Sequence, residues 1–167
     1  FSEVIGFRYV ALRYFNAAGY DIKKRVLGLE KNPQNLIPIV MEVAKSTRIN
    51  INIFGNDYDT DDGTGVRDYI HVTDLAAAHI DALNYLMRKK NSLVVNLGSG
   101  KGYSVLDIIN MTSKISKKEI QYEIANRRKG DISALIADSS LANELLSWEA
   151  RFSDLKTIIK STWSAYE

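Results

Sequence analysis

Residues 65–75, Gly-Val-Arg-Asp-Tyr-Ile-His-Val-Thr-Asp-Leu, place an arginine inside a segment that otherwise reads as a buried strand, and they run directly into a helix start. A guanidinium drawn into a folded interior requires an anionic partner. Strand alternation puts Arg67, Tyr69 and His71 on one face and Asp68, Ile70 and Val72 on the other. Two donors and an aromatic ring are therefore expected to point together at one site, suited to something negative and flat. The competing reading is local: Arg67 pairs with its neighbour Asp68 and ties loops together.

The remaining sequence narrows the class. With 167 residues, 46% of them apolar and 25% charged, the chain has the makings of one domain with a real core. The net charge is +2, and the basic clusters Lys23-Lys24-Arg25 and Arg88-Lys89-Lys90 alternate with acidic segments, so no nucleic-acid partner is expected. Each basic cluster is read as a solvated loop or helix end. No apolar run approaches membrane-spanning length and there is no cysteine, which favours a cytoplasmic setting without membrane contact, disulfides or thiolate metal sites. The chain opens on Phe1 without an initiator methionine, as a piece of something longer would.

Periodicity supplies the elements. Residues 8–15 read as a strand ending at Asn16, and the pattern from Asn35 to about Thr47 fits a helix beginning near Asn35, with Pro38 tolerated in its first turn. Residues 49–54 alternate as a half-exposed strand, and residues 56–63 form a turn-rich loop. Thr73 or Asp74 is the expected cap of a helix running to about Arg88, whose Ala76, Ala77, Ala78 and Ala82 give a thin face for packing on a sheet. A strand over 93–97, a helix over 105–115 capped by Ser104 with Asp107, a strand over 120–124, and helices over 139–146 and 153–166 complete the series. Alternating strands and helices predict an α/β protein with mostly parallel strands.

Several tempting motifs fail on spacing. Gly98-Ser99-Gly100-Lys101-Gly102 lies between a strand and a helix, yet Tyr103 stands where a dinucleotide fingerprint needs its third glycine and Gly102 where a P-loop needs Ser or Thr. A tight turn using glycine freedom is preferred. Asp57, Asp59 and Asp61 have the alternate spacing of a calcium loop, but Asp62 and Asp68 occupy the positions that call for glycine and glutamate. His71 and His79 are too few for a zinc site and are read as structural, so no metal is expected. No nucleophile elbow or Ser/His/Asp pattern occurs. What survives is a scattered set of anion and hydroxyl binders, namely Asn16, Asn35, Arg67, Arg128 and Asp131, whose combined chemistry suits a ligand with both phosphate and sugar.

Those residues sit in stretches that carry a family likeness: Leu12-Arg13-Tyr14-Phe15-Asn16-Ala17-Ala18-Gly19, Asn35-Leu36-Ile37-Pro38, residues 53–58, residues 62–72 and Arg127-Arg128-Lys129-Gly130-Asp131. In order and spacing they resemble the UDP-glucose 4-epimerases, which are extended short-chain dehydrogenases/reductases. The likeness spans nearly the whole chain and is most specific over 62–72. Such enzymes carry a glycine-rich NAD loop and a Tyr-x-x-x-Lys catalytic pair in the half before the Arg13-Tyr14-Phe15-Asn16 stretch. The resemblance therefore implies that this chain is a C-terminal half, with no catalytic residue of its own. The strands near 8–15 and 93–97 would close a doubly wound Rossmann-type NAD-binding sheet, and the remainder would form a smaller α/β substrate-binding lobe.

The same resemblance implies roles. Arg67 and Arg128 would grip the diphosphate of a UDP-sugar. Asn35 and the amide of Leu36 would add donors, Asn52, Ile53 and Phe54 would line the uracil, and Asp131 would accept from ribose hydroxyls. Asn16 would reach the sugar-phosphate region, Tyr69 and Val105 would complete the substrate contacts, and Tyr14 and Ala17 would meet the nicotinamide of NAD. Leu135 would bound the sugar pocket where relatives carry a larger tyrosine or a smaller cysteine, leaving room for an N-acetylated hexose. The full-length protein would be a homodimer formed through the other half. Two alternatives stay open: a sibling nucleotide-sugar dehydratase or decarboxylase, and, were residue 1 the true start, a non-catalytic nucleotide-sugar-binding module.

Overall fold

Parallel pairing between segments far apart in sequence organises this chain, as the alternation of elements predicts. The computed structural model describes residues 4, 6–26, 28–88 and 91–167. Val10–Tyr14 (β1) pairs in parallel with Leu93–Leu97 (β6), and Asn16–Ala18 (β2) pairs in parallel with Tyr69–His71 (β5). Ile51–Phe54 (β3) pairs in parallel with Tyr122–Ala125 (β8). Val66–Arg67 (β4) is the centre of a three-stranded sheet, antiparallel to Tyr103–Ser104 (β7) and parallel to Ala134–Leu135 (β9). Parallel neighbours need long crossovers, which the helices Leu36–Ala44 (α1), Val72–Met87 (α2), Val105–Ser116 (α3), Ser140–Leu146 (α4) and Leu155–Tyr166 (α5) help to provide.

Local chemistry accounts for most boundaries. Asn35 is the N-cap residue of α1 and Pro38 stands in its first turn, where a missing N–H costs no helical bond. Ser104 accepts from the Asp107 amide while the Asp107 side chain accepts from the Ser104 amide, the capping box expected for α3. The anticipated strand over 8–15 is Val10–Tyr14, and beyond the break at Phe15 a second strand, Asn16–Ala18, follows where none was expected, as the chain passes from a partner in β6 to a partner in β5.

The strand of residues 66–71 is likewise split, and this corrects the expected shared face. Arg67 belongs to the sheet of β4, Tyr69 and His71 belong to the pair of β5 with β2, and His71 is fully buried away from Arg67's partners. Asp68, between them, does not pair with Arg67. Its carboxylate is also fully buried and accepts from the amides of Ser99, Gly100 and Ala137. The glycine loop is thus a tight turn whose amides face an internal carboxylate. A Cβ at Gly98 would lie 2.4 Å from that of Ala137 and 2.5 Å from Asp68 Oδ2, so only glycine fits there.

The cap of α2 also differs from expectation. His71, not Thr73 or Asp74, caps it, with its ring nitrogen accepting from the Thr73 amide at 3.0 Å. Asp74 is buried and accepts from the amides of Arg151 and Phe152 and from the Ser153 hydroxyl, fastening α2 to the segment before α5. Of the four alanines, Ala78 and Ala82 are buried and Ala76 and Ala77 are exposed. Arg88 is the C-cap residue of α2, and Lys89 and Lys90 lie outside the described residues.

Two cores result. One gathers α1, α3 and α5 over Ile51, Ile53 and Tyr69; the other packs Val95 and Leu97 of β6 against Ile70, Leu75, Ala78 and Trp148. No described helix is long and apolar enough to cross a membrane.

Candidate functional site

Both arginines singled out from the sequence meet on one carboxylate. Arg67 is anchored by Nη1 donating to the carbonyls of Val66 at 2.8 Å and Ile132 at 3.0 Å, and its Nη2 lies 3.9 Å from Asp131 Oδ1. Arg128 donates from Nε to Asp131 Oδ2 at 3.1 Å, and its guanidinium lies 4.4 Å from the centre of the Phe54 ring. The tight loop at Gly130, φ +89°, turns Asp131 back so that its amide donates to the Arg128 carbonyl. Ion pairs this exposed contribute about 1 kcal/mol at most. An incoming anion can therefore displace the carboxylate and keep both cations. Arg127, the adjacent cation, is committed elsewhere: it pairs with Asp57 at 2.6 Å and lies over the Tyr58 ring at 4.0 Å.

A cleft of about 410 Å³ opens between the Phe15–Tyr20 segment, the start of α1 and Tyr69. Its lining includes Asn16, Ala17, Asn35, Leu36 and Tyr69. The Asn35 side chain makes no cap bond to α1, and Asn35, Leu36, Ile37 and Pro38 at the start of that helix line the cleft, where the first helical N–H groups have no partner within the helix. Burial pushes the Tyr69 hydroxyl up to about 12, against the pull of Arg67, so it stays a protonated donor across the physiological range. Tyr69 lines the cleft, and Arg67, two residues before it in sequence, belongs to the neighbouring three-stranded sheet.

The profile of the NAD dependent epimerase/dehydratase family matches residues 1–98. The chain belongs to that family. UDP-glucose 4-epimerase of Halalkalibacterium halodurans is 45% identical over 164 residues, 98% of this chain and 49% of that one. The crystal structure of UDP-glucose 4-epimerase from Brucella ovis in complex with NAD superposes with a TM-score of 0.95 at 41% identity, covering 99% of this chain and 51% of that one. The enzyme from Stenotrophomonas maltophila with bound NAD and formylated UDP-arabinopyranose gives a TM-score of 0.91 at 40% identity, over 96% and 48%. The chain spans about half the length of the curated relatives it matches.

The other site residues of this epimerase/dehydratase-family chain are placed unevenly. Asn52 and Phe54 occupy the exposed face of β3, and Phe54 joins the cluster through Arg128. Ile53 is 1% exposed with its side chain in the core, so only its main chain is available to a ligand. Leu135 and Tyr103 stand opposite Arg67 in the two neighbouring strands, and Val105 begins α3 just beyond, half-buried on the first core. Tyr14 does not line the cleft. It ends β1 with its ring edge-on to His79, 6.4 Å between centres, and is 45% exposed.

Tyr14 is the last residue of β1, at the carboxyl end of a parallel strand, where α/β sheets receive dinucleotides, and the small, exposed Ala17 is the middle residue of β2. The literal Tyr-x-x-x-Lys spacing does occur at Tyr20 and Lys24. There the chain is a turn with Lys24 at φ +54°, not a helix that would align the two side chains, and burial raises the Tyr20 pKa, opposite to what a base requires. Tyr85 and Lys89 repeat the spacing, but Lys89 is outside the described residues. The residue the sequence reading missed is Asp68, whose signal was a carboxylate within an apolar strand, followed at a distance by a Gly-Ser-Gly turn rich in amides.

Proposed function

We propose that this chain is the C-terminal, substrate-binding half of an NAD-dependent UDP-hexose 4-epimerase that interconverts UDP-glucose and UDP-galactose. The observation that carries the reading is the convergence of Arg67 and Arg128 on Asp131, two cations held for one anionic group. Epimerisation demands that the nucleotide be held firmly while the sugar turns over, so binding energy belongs on the UDP end, away from the reacting carbon. The diphosphate displaces the Asp131 carboxylate and takes charge-assisted bonds from both guanidiniums, each contributing about 1.5 to 3 kcal/mol.

Asp131, released, accepts from the ribose hydroxyls. Phe54 and Asn52 offer a ring face and an amide to the uracil. Asn16 and Asn35 orient the sugar-phosphate linkage, and Tyr69 donates its retained proton within the same cleft. Leu135 bounds the sugar, and Val105 supports that wall. Tyr14 and Ala17 hold the nicotinamide end of NAD. When bound, NAD supplies the hydride acceptor and donor for hexose C4.

The strands near 8–15 and 93–97 belong to the NAD-binding sheet and most of the remainder to the substrate lobe. The complete protein is a cytoplasmic homodimer assembled through its other half. The test is conversion of UDP-galactose to UDP-glucose by the protein as its natural gene encodes it. Turnover with bound NAD is expected, and absence of both turnover and UDP binding would overturn the reading.

A further inference from the structure

His71 has no role in the binding scheme, yet it is fully buried and every polar atom of its ring is engaged. Nδ1 accepts from the Thr73 amide at 3.0 Å, which fixes the proton on Nε2. Nε2–H then donates to Ser161 Oγ on α5 at 3.0 Å. The same hydroxyl accepts from the Tyr20 amide at 3.2 Å and donates to the Ile158 carbonyl at 2.9 Å, which uses its full bonding capacity.

The main chain of the cleft wall lies directly on this pair. Ala18 is the register partner of His71, and Gly19, φ +83°, passes so close that a Cβ there would stand 2.5 Å from Cδ2 and 2.6 Å from Nε2 of the imidazole. The wall that carries Asn16 and Ala17 is therefore fastened to α5 through one ring and one hydroxyl.

We propose that His71 and Ser161 are positioning residues for the nucleotide-sugar cleft: the neutral, Nε2-protonated imidazole and the Ser161 hydroxyl together hold the Asn16–Tyr20 wall in its binding geometry. The identity of the ligand rests on the function proposed above; the positioning itself does not. Burial holds the His71 pKa below the ordinary imidazole value, against the pull of Asp74 on α2, Asp154 at the start of α5 and Asp21 in the loop after β2. Protonation would set an Nδ1–H against the Thr73 N–H, removing the α2 cap. The neutral ring's contribution is thus complete above the unfolded value near 6.5 and is lost as pH falls below it.

The experiment uses the protein encoded by the natural gene. Nitrogen NMR of the His71 ring is expected to show the Nε2–H tautomer and a titration midpoint below about 6.5. An Nδ1–H tautomer, or a midpoint at or above that value, overturns the proposal. His71→Asn keeps a cap acceptor but falls short of Ser161, and Ser161→Ala removes the shared hydroxyl. Each is expected to weaken UDP binding about fivefold near pH 7.5, and the decline of affinity from there to about pH 5.5 is expected to be shallower in His71→Asn than in the parent.

Unchanged affinity in both variants, or an identical pH profile, overturns the proposal. Should the parent not bind UDP, the function reading fails by itself. Amide exchange at Tyr20 then decides the positioning: loss of protection in Ser161→Ala supports it, and unchanged protection refutes it.

Discussion

Replacing Asp68 by asparagine tests how the cationic cluster is held in place. The Asp68 carboxylate is fully buried, and four hydrogen bonds end on it: Oδ1 accepts from Ser99 N at 2.9 Å and Ser99 Oγ at 2.7 Å, and Oδ2 from Gly100 N at 3.0 Å and Ala137 N at 3.2 Å. Asparagine has the same shape but only one acceptor oxygen. Pointing its NH2 at Gly100 and Ala137 opposes donors to donors; pointing it at Ser99 lets the hydroxyl turn and accept, but strands the Ser99 amide. Bonds to a charged acceptor contribute about 1.5 to 3 kcal/mol each, so losing roughly two and burying one unpaired donor predicts a loss of about 3 to 5 kcal/mol. That is a large share of the roughly 5 to 15 kcal/mol that holds a typical domain.

Urea unfolding followed by tryptophan fluorescence reads it, since Trp148 is buried in the second core, with Asp59→Asn on the exposed loop as the control. The midpoint is expected to fall sharply for Asp68→Asn with little change in slope, while the control stays within about 0.5 kcal/mol of the parent. A loss below about 1 kcal/mol for Asp68→Asn would refute the account of this carboxylate as the clamp joining β4, the Ser99 turn and the Ala137 segment.

Thr112 on α3 is buried with no partner for its hydroxyl among the described residues, so Thr112→Val should raise stability by about 1 kcal/mol in thermal unfolding. A lower melting temperature would contradict that. Leu135 stands opposite Arg67 in β9, and its intermediate size predicts turnover of UDP-GlcNAc as well as UDP-glucose by the complete enzyme, with Leu135→Tyr selectively suppressing the former. No detectable parent activity on UDP-GlcNAc rejects this.

The sequence made some of this visible and concealed the rest for identifiable reasons. The capping box at Ser104 and Asp107 and the alternation of Ile51, Asn52, Ile53 and Phe54 depend on neighbours within a few residues, so they could be read directly. The split of the strand at residues 66–71 could not, because strand alternation assumes one continuous ladder. Here Asp68 turns the chain from one sheet to another by bonding amides 31, 32 and 69 positions away. Thr73 and Asp74 are better N-cap residues by preference than histidine. Asp74 is instead drawn to amides 77 and 78 residues on, leaving the imidazole to cap α2. That Arg67 needs an anionic partner was legible, but its meeting with Arg128 on Asp131 depends on the turn at Gly130 and on the register that places β9 beside β4.

The central claim is that Arg67 and Arg128 serve one diphosphate, and calorimetric titration of the natural protein with UDP and with uridine tests it most directly. Arg67→Ala and Arg128→Ala are each expected to weaken UDP binding by about tenfold or more, to be coupled in the double variant, and to leave uridine affinity within about twofold. UDP affinity unchanged in either variant, or an equal loss for uridine, would contradict it.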